Sequence, residues 1–457
     1  MAGTSAAAYL ADNHPHLSVT LFDMGTRLGG RCAPLLIPHP HPPTPTNNNT
    51  FLFDRGAQFI VEYTQPASSE AFKRQIQEWK EAQVLEEWKP TVEKISSHYR
   101  SRTTMGTKIY VGVPSMTSPV EFLASKLLRQ PSSSSSTSKS STIQQGFKVV
   151  HAAYDVTNAS WTVQSVPSRS STTATTTITT RHRAMIVADA LPLIDSSAGH
   201  IDVQCNGNKE IEKKLESIRV QVRHQPVFTV MMAIEKNTST TTSSSDNDTK
   251  DVADVVIYPL QSGDDDDKNK QARKSSSFQI LVRNSSKPGR QYIQTTPTIK
   301  IETWVGITTP ERSNALLEKF PLYSPTTGAY MAQTRGYRES VANELKMELL
   351  TALLDAKDAA SGPASPGERE LNRNEKEKEL NVVFCQVQRW GKGFVAVPAA
   401  SGGSHGAEDG CWWGVKDAGF ALCGDYFRGT STSGSNGLEV AWESGKRAGE
   451  AVAGWLG

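Results

Sequence analysis

Long stretches without large apolar residues interrupt this chain and limit which parts of it can join a folded core. Serine, threonine or charged residues dominate them, so burial of side chains cannot offset the entropy lost on ordering. We interpret them as surface insertions between structured elements, namely Pro131–Ser141, Ser168–Thr180, Asn237–Asp251, Gly263–Ser277 and Lys357–Glu379. The acidic run Asp264–Asp267 is interpreted as a solvated loop rather than as a metal site. Any core must be built from the segments between these insertions.

Between the insertions, helical and strand patterns mix along the whole chain. Helices are predicted from the spacing of apolar residues at Thr4–Asn13, Glu70–Ala82 and Glu339–Ala356. Strands are predicted at Ser18–Asp23, Lys108–Val113, Ala184–Ala188, Val227–Ile234, Phe278–Val282, Thr298–Gly306 and Val382–Val387, most of them rich in β-branched and aromatic residues. The mixture is typical of an α/β protein. Because single cores rarely exceed about 250–300 residues, the 457 residues predict two domains.

Charge and cysteine content argue against several classes of protein. Lys and Arg number 49 and Asp and Glu 47, so the net charge of +2 gives no reason to expect a nucleic-acid partner. The five cysteines include no Cys-x-x-Cys pair, which argues against a disulfide framework and a zinc site. No apolar run reaches the length of about 18 residues that a membrane span needs, and the first residues do not resemble a signal peptide. We expect a soluble protein, located by default in the cytoplasm.

The first residues fit the phosphate-binding turn of a Rossmann unit, in which glycines bring the backbone close to a dinucleotide. Met1–Ala6 occupies the register of the G-x-G-x-x-G/A motif, with Gly3 as the second glycine and Ala6 at the third position. Asp23 ends the next strand, about 20 residues after Gly3, where an acidic residue binds the adenosine ribose. These residues alone are weak evidence, because an Ala-rich helix before a strand is common in α/β proteins.

The start of this motif is incomplete. Its first glycine position falls on Met1, and the strand that normally precedes it in the centre of the sheet is absent from the sequence. We expect either that the sequence begins inside the motif or that the chain binds its dinucleotide weakly, and we favour the first. Import into plastids by an upstream transit peptide is therefore an alternative to the cytoplasm.

A second motif indicates which dinucleotide is bound. The sequence RLGGR at residues 27–31 follows shortly after Asp23 and resembles the G-G-R element of amine-oxidase-like flavoproteins. The resemblance implies that Gly29 and Gly30 let the backbone turn against FAD and that Arg31 offsets the charge of its diphosphate. It therefore implies FAD as the cofactor.

Further matches are to the renalase-like branch of FAD-dependent oxidoreductases. The sequence DRGAQF at residues 54–59 resembles the segment that passes beside the isoalloxazine ring in that family. This implies close backbone approach at Gly56 and Ala57 and a hydrogen bond from Gln58 to flavin or substrate, although Gln58 taken alone is more typical of a residue that closes a turn. The turn YVGVPSM at residues 110–116 also resembles this branch, which implies a following helix at Pro119–Leu128. Phe147–Val150 and Trp161–Val163 resemble a strand pair in which the family places the backbone of a valine, here Val150, against adenine.

The C-terminal part supplies the remaining matches. QRW at residues 388–390 resembles the family's H-R-W element, with glutamine in place of histidine. ALCGDY at residues 421–426 is similar to a strand end that implies Gly424 and Asp425 near the ribityl and diphosphate groups. SNGLEVAWESG at residues 435–445 resembles the start of the last helix, which implies that Gly437 and Leu438 face the flavin pyrimidine ring.

The resemblance implies an α/β fold with a discontinuous Rossmann-type FAD-binding domain and an α+β substrate domain with a mixed or antiparallel sheet. We expect the first in residues 1–60, 143–195 and 381–457 and the second in residues 61–142 and 196–380. The implied function is hydride transfer from an NAD(P)H-like dihydropyridine or an amine to FAD, with reoxidation by dioxygen. A desaturase-like flavoprotein acting on an apolar substrate and a non-catalytic scaffold with weak FAD binding are the alternatives.

Some side chains are candidates for the substrate region without an assigned catalytic role. Lys287 and Arg290 are interpreted either as attracting an anionic substrate or, more simply, as solvated cations in a Pro-Gly turn. Trp390 and Tyr426 are interpreted either as an aromatic lining or as core residues. Cys423 is expected to be a buried, unreactive thiol rather than a covalent link to flavin. The sequence indicates neither the catalytic residues nor the oligomeric state.

Overall fold

The computed structural model of the protein describes most of the segments between the insertions. The described residues are 1–38, 50–63, 68–95, 100–103, 108–129, 141–168, 177–188, 201–206, 208–237, 253–258, 276–290, 293–296, 299–328, 331–361, 380–397, 411–427 and 437–457. Most of each predicted insertion lies outside these ranges, and so does the whole of Asp264–Asp267. None of the helices within these ranges combines the length and the apolar character that a bilayer span requires.

The helices of the described residues are α1 (Ala2–Asn13), α2 (Glu70–Glu81), α3 (Ser118–Leu128), α4 (Lys209–Gln221), α5 (Pro310–Lys319), α6 (Arg335–Ser361) and α7 (Gly437–Leu456). Side-chain caps fix three of the starts, because Ser69, Asn208 and Thr309 each accept a backbone hydrogen bond from the first turn of α2, α4 and α5. The sequence predicts α1, α2, α3 and α6 to within a few residues and places the start of α7. It misses α4 and α5, which bury few apolar side chains among many charged ones.

The strands of the described residues are β1 (Thr20–Asp23), β2 (Leu35–Pro38), β3 (Thr50–Phe53), β4 (Ile60–Glu62), β5 (Leu85–Trp88), β6 (Val92–Ile95), β7 (Arg100–Thr103), β8 (Lys108–Gly112), β9 (Thr142–Gln145), β10 (Phe147–Asp155), β11 (Ser160–Pro167), β12 (Ile178–His182), β13 (Met185–Val187), β14 (Asp202–Gln204), β15 (Arg223–Asn237), β16 (Val255–Ile257), β17 (Phe278–Arg283), β18 (Ile293–Thr296), β19 (Ile299–Thr308), β20 (Asn381–Val397), β21 (Trp412–Val415) and β22 (Phe420–Cys423). Every predicted strand segment forms a strand. The missed strands are mostly three to five residues long, too short to carry a periodic signal.

The Rossmann-like half contains parallel strand pairs and the two terminal helices. β1 pairs in parallel with β9, β13 pairs in parallel with β22, and β21 continues the second sheet. Within the described residues, no strand joins β1 to β22. A sheet in the order β12-β11-β10-β14 shares an apolar core with α4, in which Trp161 and Ile211 are completely buried. β14 and α4 therefore pack with this half, although the predicted boundaries place them in the substrate domain.

The second half is built on one large mixed sheet, as predicted. Its strand order is β20-β15-β19-β17-β16-β6-β7, and β18 also pairs with β19. Among these strands only the β16–β6 pair is parallel. Helices α5 and α6 cover one face through a core that includes Phe228, Leu281 and Leu349. β20 pairs with β15 along nearly its whole length, so residues 381–397 lie in this sheet. The predicted boundary at residue 381 instead groups them with residues 411–457.

Candidate functional site

The turn at residues 29–32 depends on glycine. Gly29 and Gly30 have φ angles of +114° and +52°, which residues with a side chain rarely adopt. A Cβ at Gly29 would also lie 3.1 Å from Cγ2 of Thr117. The hydroxyl of Thr117 donates to the carbonyl oxygen of Cys32 at 3.1 Å and ties the turn to the start of α3. The backbone path of this G-G-R element is therefore tightly specified.

The turn at residues 54–58 packs directly against Arg31. The backbone N–H of Ala57 donates to the carbonyl oxygen of Arg31 at 2.9 Å. A Cβ at Gly56 would lie 3.0 Å from the carbonyl carbon of Arg31 and would overlap its oxygen, so only glycine fits this approach. Two segments that the sequence assigns to FAD are thus in backbone contact.

The C-terminal segment meets the same place. Nη2 of Arg31 lies 2.5 Å from Oδ2 of Asp425, and their side chains are 42% and 14% exposed. A Cβ at Gly437, the first residue of α7, would lie 3.7 Å from the same carboxylate oxygen. Gly424 is held by its N–H, which donates to Oγ of Ser444 within α7 at 2.8 Å. Arg31, Asp425 and the start of α7 therefore form one cluster from opposite ends of the chain.

Helices α1 and α7 cross at very short distance. A Cβ at Gly445 would lie 2.7 Å from the carbonyl carbon of Ala2, and one at Gly449 would lie 3.0 Å from the carbonyl oxygen of Ala6. Oγ of Ser5 donates to the carbonyl oxygen of Trp442 at 2.7 Å across the same contact. This crossing fixes the start of α1 relative to the start of α7. The first N–H groups of a helix have no partner within the helix itself, so both helix starts can supply hydrogen-bond donors.

Gly3 and the two predicted adenosine contacts lie beside β1. A Cβ at Gly3 would lie 3.5 Å from Cδ1 of Leu21 in this strand. Oδ1 of Asp23 accepts a hydrogen bond from the N–H of Gly25 at 2.7 Å, and the carbonyl oxygen of Gly25 accepts from the N–H of Gly146, which directly precedes β10, at 2.8 Å. The pairing of β10 with β11 skips Val150 at a bulge. Asp23 and Val150 thus lie on adjoining segments.

A buried ion cluster lies behind the 54–58 turn. Oδ2 of Asp54 is 2.9 Å from Nζ of Lys287 and 2.5 Å from Nη2 of Arg290, and the three side chains are 0%, 0% and 3% exposed. The cluster therefore holds two positive charges against one negative charge. Both interpretations of Lys287 and Arg290 from the sequence are wrong, because these side chains are neither solvated nor open to a substrate. Their acidic partner is distant in sequence, so local sequence does not reveal it.

The side chain of Gln58 closes the turn and joins this cluster. Its Nε2 donates to the carbonyl oxygens of Asp54 and, at 3.0 Å, of Gly56. Its Oε1 accepts from Nζ of Lys287 at 3.2 Å. Both ends of the amide are therefore satisfied inside the protein, in agreement with the structural alternative that the sequence left open.

The electrostatics of the cluster are set by burial and by its unequal charges. Burial raises the pKa of the Asp54 carboxyl, but the charges of Lys287 and Arg290 outweigh burial and hold that pKa below its usual value. Burial also disfavours the charged form of Lys287, and together with the charge of Arg290 it lowers the pKa of Lys287 to about 8 against the attraction of Asp54.

We expect the wild-type protein to gain stability relative to a Lys287→Met variant as the pH rises from about 8 to about 10. In this range the unfolded chain still holds a proton on Lys287 that the folded chain has released, so raising the pH favours folding. A depression of the pKa from 10.5 to about 8 corresponds to about 3 kcal/mol. Urea unfolding of both proteins at several pH values across this range measures the difference. A difference that does not change with pH would contradict the depressed pKa.

The aromatic candidates separate into one at the site and one in the core. Nε1 of Trp390 donates to the carbonyl oxygen of Arg55 at 3.0 Å, which places this half-buried ring beside the 54–58 turn. Tyr426 is 1% exposed and packs on Phe427 with ring centroids 4.6 Å apart, so it is a core residue. Cys423 is completely buried, and burial raises the pKa of its thiol to about 12, as expected for an unreactive thiol.

The sequence motifs implied no separate role for Asp54 or Arg55, although both lie in the DRGAQF segment. Nε of Arg55 donates to the carbonyl oxygen of Ala33 at 3.0 Å, and its Nη1 lies 3.5 Å from Oε1 of Gln388 in β20. These contacts connect the turn to both halves of the protein. An available signal was Asp54 itself, an acidic residue between the apolar strand before it and the small residues of the turn, since a buried carboxylate requires cations nearby.

Comparison with known proteins supports the first part of this description. Residues 1–74 match the model of the NAD(P)-binding Rossmann-like domain family. This range contains α1, β1, the 29–32 turn and the 54–58 turn. No curated protein matches the chain. The match indicates a dinucleotide-binding domain of the kind found in oxidoreductases.

Proposed function

We propose that the protein is an FAD-dependent oxidoreductase of the renalase and amine-oxidase type. Its electron donor is an NAD(P)H-like dihydropyridine or an amine. The observation that carries the proposal is the convergence of Arg31, the 56–57 backbone and Asp425 at the start of α7. These segments come from opposite ends of the chain, and each carries a motif that resembles the same family.

The local geometry fits a bound dinucleotide. Gly29 and Gly30 adopt left-handed backbone conformations, and no described atom lies within 4 Å of a Cβ built on Gly30. Close approach of a ligand to backbone is a usual reason for such glycines. The first turn of α1 supplies N–H groups and the positive end of a helix, which favour a diphosphate. Gly3 and Ala6 keep this surface free of large side chains.

In this proposal each group has a separate role. Arg31 neutralises the diphosphate and is itself oriented by Asp425, while Asp23 and the backbone of Val150 hold the adenosine part. Gly56 and Ala57 present backbone to the flavin ring, and Gln58 maintains the shape of their turn. The N–H groups of Gly437 and Leu438 stabilise negative charge that develops on the pyrimidine side of the ring. FAD, when bound, supplies the redox chemistry by accepting a hydride and returning electrons to dioxygen.

Spectroscopy of the purified protein tests this proposal. We expect the visible absorption of an oxidised flavin, release of FAD on denaturation, and anaerobic bleaching by NADH, NADPH or an amine. A protein that takes up no flavin even with added FAD would contradict the proposal and favour the non-catalytic scaffold. Flavin that none of these donors reduces would favour the desaturase-like alternative.

A variant with Arg31→Met is expected to bind FAD about 10- to 100-fold more weakly, because a hydrogen bond to a charged group contributes about 1.5–3 kcal/mol. Arg219→Met is the matched control, since Arg219 is 38% exposed and pairs with Glu216 on α4. Fluorescence titration of flavin-free protein measures both affinities. Equal FAD affinities of the two variants would show that Arg31 does not contribute to cofactor binding.

A further inference from the structure

Strand β20 of the second half contacts the candidate site at two points. Nη1 of Arg31 donates to the carbonyl oxygen of Gly393 at 3.0 Å. Nε1 of Trp390 donates to the carbonyl oxygen of Arg55, also at 3.0 Å, in the turn that the proposed function places beside the flavin ring. A strand of the large sheet therefore binds the backbone of a turn that belongs to the Rossmann-like half.

The indole of Trp390 and the residue that it binds are both fixed in place. Nε1 of Trp390 also donates to Oγ1 of Thr229, a buried residue of the neighbouring strand β15, at 3.1 Å. The guanidinium carbon of Arg55 lies 5.7 Å from the ring centroid of Trp390, and its Nε donates to the carbonyl oxygen of Ala33 at 3.0 Å. Two separate segments thus hold the carbonyl group and the side chain of Arg55.

These contacts fix the orientation of the peptide group between Arg55 and Gly56. The peptide is trans and planar, so the N–H of Gly56 points in the direction opposite to the carbonyl group of Arg55. On its other side, Gly56 accepts from Nε2 of Gln58, and the N–H of Ala57 donates to Arg31. None of the described residues accepts a hydrogen bond from the N–H of Gly56. This N–H is therefore a donor of fixed direction that is available to a ligand.

We propose that Trp390 is a positioning residue for the reaction of the proposed function. By binding the carbonyl oxygen of Arg55, it orients the N–H of Gly56 toward the flavin ring. A backbone donor that is oriented in advance stabilises the negative charge that hydride transfer adds to the ring. The inference rests on the proposed function, because it requires a flavin beside Gly56. Trp390 acts through the peptide group and needs no contact with the electron donor.

Replacing Trp390 with phenylalanine tests this role, because Trp390→Phe removes the N–H and keeps an aromatic ring. We expect the affinity for reduced FAD, relative to oxidised FAD, to fall about tenfold, which lowers the two-electron midpoint potential by about 30 mV. A residue with a purely structural role would weaken the binding of both forms equally and leave the potential unchanged. Spectroelectrochemical titration of the full chain loaded with FAD measures the potential.

Thr229→Val is the matched control. It removes the second acceptor of the indole with almost no change of shape and leaves the bond to Arg55, so the potential should equal that of the wild type. If Trp390→Phe does not fold, benzothienylalanine at position 390 serves instead, because sulfur replaces the N–H in a ring of nearly the same shape. An unchanged potential after either replacement of Trp390, or an equal fall in Thr229→Val, would overturn the inference.

The wild-type protein separates this inference from the proposed function. A wild-type chain that takes up no FAD would contradict both. A wild-type chain that binds FAD at a potential that the Trp390 variants do not change would contradict the positioning role alone.

Discussion

Replacing Asp54 with asparagine is expected to lower the free energy of unfolding by about 3–5 kcal/mol, the usual cost of breaking a buried ion pair from one side. Asparagine has nearly the same shape, so packing is preserved while the only negative charge of the cluster is lost. Lys287 and Arg290 then remain buried without a counter-ion. The effect is large because water cannot reach these charges to replace the lost partner.

Urea unfolding at neutral pH, followed by tryptophan fluorescence, measures this loss. Lys287→Met is the matched control, since it also removes one buried charge but leaves Arg290 paired with Asp54, and we expect less than half the loss. Glu70→Gln, at the exposed pair with Lys73, should leave the unfolding midpoint nearly unchanged. Equal losses in the Asp54 and Lys287 variants would show that packing, rather than the unequal charge, governs the cluster.

The local pattern of apolar residues was sufficient to predict helices whose apolar face repeats over several turns. In α2, Phe72, Ile76 and Trp79 recur at helical spacing and all are buried. The same reasoning failed for β2 to β7, where three or four residues carry no period. It also failed to place β20, because alternation predicts that a strand exists but does not say with which strand it pairs.

In the candidate site, too, residues within a recognisable motif could be predicted from the sequence, whereas contacts between residues distant in sequence could not. The family-like motifs placed both Arg31 and Asp425 near the diphosphate of FAD, and in the structure the two side chains form an ion pair at 2.5 Å. Nothing near Lys287 in the sequence reveals that it is buried, because its partner Asp54 is 233 residues away.

The second large effect is expected from a substitution at the point where α1 and α7 cross. We expect Gly445→Ala to lower stability by about 3 kcal/mol and FAD affinity by at least about tenfold, because overpacked contacts force backbone shifts. A methyl group at Gly445 would overlap the carbonyl oxygen of Ala2 and lie 2.7 Å from its carbonyl carbon. Relief requires movement of a helix backbone rather than rotation of a side chain. The start of α1 would then move away from the start of α7.

The same helix supplies the control for this prediction. No described atom lies within 4 Å of a Cβ at Gly454, so Gly454→Ala should raise stability by about 0.5–1 kcal/mol through helix propensity alone. Thermal unfolding and fluorescence titration with FAD measure both variants. If Gly445→Ala destabilises the protein but leaves FAD affinity unchanged, the crossing supports the fold without positioning the cofactor. If FAD affinity falls together with stability, the distance between the starts of α1 and α7 determines how tightly the diphosphate is bound, as the proposed function requires.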